Sequence, residues 1–214
     1  MLKLYHCADA RSFRPLWTLE EIGLPYELVV MPFPPRMSVP EFLDVNPLGT
    51  VPALIDGDTR MTESAAMCEY LAVRYGDGAL AVDPTDPAYG AFLNALHFGE
   101  ATLTFPQTLV LRYGRFEPEA RRQPQVVADY SQWFLSRLRG VEAIVADAPF
   151  ICAGRFTVAD ISIGYAIMLA EIIGLGDALP PATHAYWKRI SARPGFARSK
   201  AAQAGDAAIP QPQD

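Results

Sequence analysis

The chain has 214 residues, half of them hydrophobic and a fifth charged, which suffices for one large or two small globular domains. Its formal net charge of -6 and the shortness of its basic clusters argue against nucleic-acid binding. No apolar run approaches the roughly 20 residues that cross a bilayer, and the start of the chain lacks the pattern of a secretory signal.

Strand and helix signals alternate in the first third of the chain. Leu2 to Tyr5 is predicted to be a strand, and Ser12 is predicted to cap a helix that ends at Gly23. A second strand (26–30), a proline-rich loop with a short helix (40–45), a hairpin (51–55 and 59–61) and a helix (64–75) are predicted to follow. A right-handed βαβ unit followed by a ββα unit predicts a mixed four-stranded sheet.

Beyond residue 78 the sequence shows only helical patterns. One helix is expected from about Ala88 to Tyr113, and apolar residues recur every three or four positions over 127–145 and 161–172. The predicted fold class is therefore α/β followed by all-α. We expect the first domain at 1–78, a linker at 79–85, an all-helical domain at 86–206 and a flexible tail at 207–214.

Three short motifs stand out against this background. Residues 46–54 are Asn-Pro-Leu-Gly-Thr-Val-Pro-Ala-Leu, residues 63–64 are Glu-Ser at a predicted helix start, and Thr157 and Asp160 have the spacing of a structural capping box. In this order and spacing they resemble motifs of cytosolic, bacterial-type glutathione S-transferases, over nearly the whole chain. The resemblance implies a thioredoxin-like domain that binds glutathione, followed by a helical domain that carries an electrophilic substrate.

The first two motifs would build the glutathione site. A proline at a strand start can follow a cis peptide bond at low cost, and a cis Val51–Pro52 bond would turn the Val51 backbone toward the cysteinyl part of glutathione. By resemblance, Ser64 would hold the γ-glutamyl carboxylate at a helix N-terminus, and Glu63 would face the ammonium group. Arg36 would approach the glycyl carboxylate. A plain turn proline and a plain N-cap serine are the alternatives.

The segment between the first strand and the first helix holds the candidates for thiol activation. Family members place a Tyr, Ser or Cys here, which favours the thiolate below the ordinary thiol pKa of about 8.5. Ser12 is the first candidate, with a simple N-cap as its alternative, and Arg11 is the second, because a cation would stabilise a thiolate. Tyr5 is expected to pack in its strand. Cys7 is expected to be a small buried thiol or a mixed-disulfide site.

Aromatic residues on the predicted helix over 88–113 are candidates for the electrophile site. By resemblance this helix borders the second substrate, and we assign Phe105 and Tyr113 to the site, although aromatics at helical spacing are most often core. Glu100 would either reach the glutathione of a partner subunit or be an exposed helix residue. The resemblance also implies a homodimer with two-fold symmetry.

The resemblance implies an enzyme that uses glutathione as co-substrate, needs no metal, and directs the thiolate at a small apolar electrophile in detoxification. Ether cleavage, dehalogenation, isomerisation and disulfide reduction begin from the same thiolate, so the fold leaves them open. The rivals from another class are a non-catalytic binder of glutathione or apolar ligands and an interaction module that keeps only the fold. No nucleic-acid or membrane partner is expected. Three widely spaced cysteines without a Cys-x-x-Cys pair fit a reducing cytoplasm.

Overall fold

The computed structural model describes residues 1–204 and divides into two compact units. The first unit combines Met1–Ala81 with the described residues from Ala192 onward, and the second is Val82–Ser191. The predicted helical domain spans residues 86–206, whereas the structure assigns the described residues from Ala192 onward to the first unit. The expected flexible tail, 207–214, lies outside the described residues.

The first unit is built on a four-stranded sheet with the order β2-β1-β3-β4. Its strands are β1 (Leu2–His6), β2 (Tyr26–Val30), β3 (Ala53–Asp56) and β4 (Thr59–Met61). β1 runs parallel to β2 and antiparallel to β3, and Leu4 pairs with Leu28 on one side and Leu54 on the other. The predicted mixed sheet and the order βαβ then ββα are confirmed.

Four helices connect these strands or follow them. They are α1 (Phe13–Ile22), α2 (Pro35–Ser38), α3 (Phe42–Val45) and α4 (Ser64–Tyr75). α1 ends as predicted at Gly23, which adopts φ 78° and donates its N–H to the Leu19 carbonyl. This left-handed residue is the usual way to end a helix, and glycine adopts it without steric cost.

Helices begin at or directly after the two predicted serines, Ser12 and Ser64, but neither serine caps its helix with its side chain. Ser12 precedes α1, but its side chain makes no capping bond, because the hydroxyl is paired with the Cys7 backbone instead. Ser64 is the first residue of α4 rather than its cap. Glu63 occupies the cap position with extended backbone, and the Ser64 oxygen accepts a hydrogen bond from a buried arginine.

The first unit is completed by α10 (Pro194–Ala202), which packs along α1. Arg193 forms a paired hydrogen bond with the Glu21 carboxylate at 3.0 and 2.8 Å, and the Phe196 ring meets the Trp17 ring edge-on at 4.9 Å. A side chain at Gly195 would place its Cβ 2.5 Å from the Glu21 carboxyl carbon. Opposite charges, ring packing and a glycine contact therefore hold this helix to the first unit.

The second unit is helical among its described residues. It contains α5 (Tyr89–His97), α6 (Phe105–Leu111), α7 (Pro124–Val145), α8 (Val158–Ile172) and α9 (Pro181–Ser191). π-helical turns at Phe98–Thr104 and Arg112–Phe116 interrupt the single helix predicted over 88–113. No helix within residues 1–204 has the length and apolarity needed to cross a membrane.

Side chains donate hydrogen bonds to carbonyls in and just before the first π-helical turn. Ser162 donates to the Leu96 carbonyl at 2.7 Å, and Thr104 donates to the Gly99 carbonyl at 2.8 Å. Gly99 lies against α8 so closely that an added Cβ would stand 2.4 Å from the Ser162 hydroxyl. The widened turn therefore lets two helices approach at their backbones.

The capping box expected at Thr157 and Asp160 is present at the start of α8. The buried Asp160 carboxylate accepts hydrogen bonds from the Thr157 N–H at 2.8 Å, the Ile151 N–H at 2.9 Å and the Tyr186 hydroxyl at 2.9 Å. One carboxylate thus joins the loop before α8, the helix start and α9. Its role is to stabilise the second unit.

We predict that Asp160→Ala lowers the free energy of unfolding by at least about 3 kcal/mol, because several buried donors lose their acceptor. Asp129→Ala is the control, since Asp129 is an exposed carboxylate that accepts from Gln125 on α7. Denaturant unfolding followed by circular dichroism measures both. Equal shifts in the two variants would contradict the assigned role.

Candidate functional site

The loop before β3 presents the Val51 backbone. The Val51–Pro52 peptide bond is cis, and the Val51 side chain packs against a core cluster formed by Cys7, Met31, Phe42 and Ala53. Among residues 1–204, neither the N–H nor the C=O of Val51 makes a hydrogen bond. Both peptide groups are therefore free to pair with the backbone of an extended ligand.

Asn46 shapes this loop from within. The side chain is buried, donates to the Thr50 carbonyl at 2.7 Å and accepts from the Leu48 N–H at 3.1 Å. The backbone carbonyl of Asn46 also accepts a hydrogen bond from the Gly49 N–H at 2.8 Å. One amide thus fixes the path of the backbone up to Val51, which preorganises it for binding.

Arg36 is brought close to the same loop. Gly49 adopts φ 61°, and an added Cβ would lie 2.6 Å from the Arg36 Cβ. Only glycine fits both the left-handed backbone and this close approach. The exposed Arg36 side chain therefore starts from a point beside the Val51 loop.

The start of α4 contains a buried arrangement that sequence reasoning missed. Arg14, on α1, has no solvent exposure, and its Nη1 donates to the Ser64 Oγ at 3.0 Å. Glu63 precedes Ser64 and is exposed. The N-terminus of α4 therefore combines free backbone N–H groups, a hydroxyl backed by a cation, and an exposed carboxylate.

Arg14 could have been suspected from one signal in the sequence. It stands between Phe13 and Leu16 on a helix whose neighbouring residues are apolar, so a charge there faces the core or a specific partner. Its partner, Ser64, lies 50 positions away in the chain. That pairing has no local signature.

The β1–α1 loop places the two thiol candidates differently. Ser12 has no solvent exposure, and its hydroxyl accepts from the Cys7 N–H at 3.2 Å and donates to the Cys7 carbonyl at 3.3 Å. Arg11 is partly exposed. The serine donor is therefore engaged with the backbone, whereas the guanidinium can reach the surface of the loop.

Tyr5 in β1 and Cys7 directly after the strand have structural roles. Tyr5 packs against Phe42 with ring centroids 5.4 Å apart, as expected for a strand residue. Burial raises the pKa of the Cys7 thiol to about 12, and its sulfur lies 3.6 Å from the Pro32 carbonyl oxygen. A neutral, buried thiol is a poor nucleophile. Of the two alternatives for Cys7, the structure therefore favours a small buried thiol over a mixed-disulfide site.

His6 is the last residue of β1 and is fully buried. Burial lowers its pKa to about 4, and its Nε2 lies 3.1 Å from the Gln203 Oε1. The folded protein thus holds the imidazole neutral at pH values where an unfolded chain would protonate it. His6 therefore contributes to stability near neutral pH, and this contribution is lost as the pH falls from about 6.5 toward 4.

We predict that His6→Asn flattens the acid limb of the stability profile by up to about 3 kcal/mol between pH 6.5 and pH 4. Urea unfolding at a series of pH values measures the slope, which is independent of any uniform loss of stability in the variant. His97→Asn is the control, since that side chain is exposed. An unchanged slope in His6→Asn would contradict this account.

The aromatic candidates on the second unit are exposed to different degrees. Phe105 is 54% exposed at the start of α6, and Tyr113 is partly exposed, with the Arg112 guanidinium 5.5 Å from its ring centroid. His97 and Phe98 line a shallow open groove on α5 and the following turn, together with Leu93, Asn94, Ala101 and Thr102. Residues 1–204 contain no group of three or more His, Cys, Asp or Glu side chains arranged to hold a metal ion.

The chain is similar to known glutathione transferases. A family model described as glutathione S-transferase, N-terminal domain, matches residues 10–74. A glutathione S-transferase of Hypomyces subiculosus is 30% identical over 171 residues, which is 75% of this chain and 78% of that protein.

Two solved structures share the fold over nearly the whole chain. A glutathione transferase of Phanerochaete chrysosporium in complex with oxidized glutathione has a TM-score of 0.84 and 28% identity, covering 95% of this chain and 96% of that one. A sphingomonad glutathione S-transferase complexed with glutathione also has a TM-score of 0.84, with 25% identity. The match covers 95% of this chain and 100% of the sphingomonad chain. These likenesses extend well beyond the residues that the family model matches.

Proposed function

We propose a mechanism from one premise: the chain belongs to the glutathione transferase family. It is a glutathione transferase, in which the thiolate of glutathione attacks an electrophilic carbon of an apolar substrate. Most of the rate gain is assigned to orientation of the two reactants and to a larger thiolate population at neutral pH. We assign the residues that would hold glutathione and activate its thiol from the geometry of the first unit.

The contact between Arg14 and Ser64 is the observation that carries the proposal. The Ser64 oxygen accepts a hydrogen bond from a buried guanidinium, so its own hydroxyl proton is left to donate elsewhere. The N-terminus of α4 adds backbone N–H groups and partial positive charge. An anionic carboxylate fits this combination, and we assign it to the γ-glutamyl carboxylate of glutathione.

The other glutathione contacts follow from the same placement. The exposed Glu63 carboxylate complements the γ-glutamyl ammonium group, and the free peptide groups of Val51, ahead of Pro52, complement the cysteinyl backbone. Arg36, beside Gly49, complements the glycyl carboxylate. Each charged end of the tripeptide then meets an opposite charge, which favours one orientation of the thiol.

Thiol activation is assigned to the β1–α1 loop, with Arg11 ahead of Ser12. The Ser12 hydroxyl already donates to the Cys7 carbonyl and is fully buried, so it would have to leave that bond to reach a sulfur atom. Arg11 is partly exposed on the same loop, and a nearby cation lowers a thiol pKa. In this arrangement Ser12 holds the loop and Arg11 stabilises the thiolate.

We predict that Ser64→Ala weakens glutathione binding by about ten- to a hundredfold, because a charge-assisted hydrogen bond to the ligand is worth roughly 1.5–3 kcal/mol. Arg14→Met is expected to weaken it at least as much, since the variant also removes the buried positive charge. Isothermal titration calorimetry with glutathione measures both affinities.

The matched control for these variants is Ser136→Ala on α7, whose hydroxyl bonds only within its own helix region. Thermal unfolding of each variant establishes that it is folded at the titration temperature. Parental affinity in a folded Ser64→Ala protein would contradict the assignment of the γ-glutamyl site.

We predict that Arg11→Ala raises the apparent pKa of the bound glutathione thiol by about one unit, the scale of a single nearby charge. The pH dependence of kcat/KM with a generic aryl halide reports this value, and Arg11→Lys is expected to restore part of the shift. Ser12→Ala is expected to lower stability and leave the thiol pKa closer to the parent value. A shift in Ser12→Ala alone would reverse the two assignments.

The electrophile site is assigned to the second unit, with Phe105 and Tyr113 as the aromatic contacts. Both expose ring surface that an apolar substrate could cover. Ether cleavage, dehalogenation, isomerisation and disulfide reduction use the same thiolate, so a substrate screen with each class distinguishes them. Glutathione binding without turnover across that screen would favour a non-catalytic binding protein.

A two-fold homodimer in a reducing cytoplasm, with a role in detoxification, completes the proposal. The exposed groove around Leu93 and Phe98 offers an apolar face that a second copy could cover. Cys7, Cys68 and Cys152 are buried thiols outside any disulfide, which suits a compartment that keeps thiols reduced. Sedimentation equilibrium measures the oligomeric state directly.

A further inference from the structure

The β1–α1 loop, which carries Arg11 and Ser12, is held in a conformation that its own residues do not favour. The Ala10 N–H donates to the Cys7 carbonyl at 3.1 Å, so residues 7–10 form a tight turn. Asp9 occupies the third position of that turn with φ 55°. The left-handed region costs energy for any residue with a Cβ, although Asp tolerates it better than most, and surrounding contacts stabilise it.

Those contacts come from the far end of the chain. The Asp9 N–H donates to the Gln203 Oε1 at 3.1 Å, and the Gln203 Nε2 donates back to the Asp9 Oδ1 at 2.6 Å. The Lys200 ammonium donates to the same carboxylate oxygen at 2.7 Å. Backbone and side chain of Asp9 are therefore both fixed by the last turn of α10 and the residue that follows it.

The amide of Gln203 is itself held in place. It is 5% exposed, and its Oε1 also lies 3.1 Å from the Nε2 of the buried His6. A neutral imidazole can donate there, so one amide oxygen serves both the end of β1 and the turn that follows it. Gln203 thus ties α10 to two successive points of the chain just before Arg11.

We propose that Gln203 and Lys200 are positioning residues for thiol activation: by holding Asp9 in its left-handed turn, they fix where Arg11 meets the glutathione sulfur. The inference rests on the proposed function. The proposal gives α10 a part in catalysis that acts through Asp9. Misplacement of a reacting group by about 1 Å can cost about a hundredfold in rate, so an ordered loop matters.

A second set of contacts on the same helix supplies the control. Arg198 donates to the Glu20 carboxylate at 2.9 Å and to the Glu20 backbone carbonyl, and these partners lie on α1 rather than in the turn at residues 7–10. Arg198→Met and Lys200→Met each remove one cation from α10 and one ion pair with the first unit. Arg198→Met removes the ion pair with Glu20 on α1, whereas Lys200→Met removes the ion pair with Asp9 in the loop.

Kinetics with glutathione and an aryl halide form the first test. Gln203→Leu and Lys200→Met are expected to lower kcat/KM by about ten- to a hundredfold and to raise the apparent thiol pKa. Lys200→Arg is expected to restore most of the rate, and Arg198→Met to keep the parental pH profile. Equal losses in Lys200→Met and Arg198→Met, at equal thermal stability, would overturn the inference.

Hydrogen exchange without glutathione forms the second test and does not depend on the proposed function. The amides of Asp9, Ala10 and Arg11 are expected to exchange faster in Gln203→Leu than in the parent, and at the parental rate in Arg198→Met. Unchanged exchange in Gln203→Leu would overturn the inference even if the enzyme is active. Faster exchange in a protein that fails to bind glutathione would leave the loop contact standing and refute the proposed function.

Discussion

The hydrogen bond from the buried Arg14 guanidinium to Ser64 is the interaction on which the proposed glutathione site depends. A charge without solvent exposure is costly unless hydrogen bonds compensate it, and one of its N–H groups is directed at the first residue of α4. That contact joins the helix after the thiol loop to the helix whose N-terminus would take the γ-glutamyl group. It also decides which way the Ser64 hydroxyl can donate. In the proposed site, this single side chain sets the electrostatics at the γ-glutamyl end of glutathione.

The remaining parts of the site are fixed by contacts of the same kind. Asn46 holds the loop that ends at Val51, and Gly49 lets Arg36 approach that loop. Gln203 and Lys200 hold Asp9, which precedes Arg11 and Ser12 in the chain. Asn46 and Gln203 are buried polar side chains that each order a loop, and each loop presents backbone or charge at the surface. Such preorganisation lowers the cost of ordering the protein when glutathione binds.

Features with a local signature could be predicted from the sequence. Gly23 ends α1, residues 56–58 turn a hairpin, and the spacing of Thr157 and Asp160 gives the capping box. The run that contains Val51 and Pro52 indicated both the family and the cis peptide bond. All of these depend on residues within a few positions of one another, where pattern and backbone chemistry are enough.

Features that depend on distant partners could not be predicted in this way. Ser12 and Ser64 look like helix caps in sequence, but each has another partner: the Cys7 peptide in one case and Arg14 in the other. The attachment of Gln203 to Asp9 spans 194 positions, so the last helix was grouped with the helical domain. The π-helical turn after His97 accompanies the close approach of Gly99 to α8, which periodicity does not reveal.

The ultraviolet difference spectrum of the protein with saturating glutathione, recorded across the pH range, tests the central claim most directly. The account predicts a thiolate absorbance that depends on protein and titrates clearly below the ordinary thiol pKa of about 8.5. An absorbance that titrates as free glutathione does, with or without the protein, would mean that the site does not activate the thiol and would contradict the account.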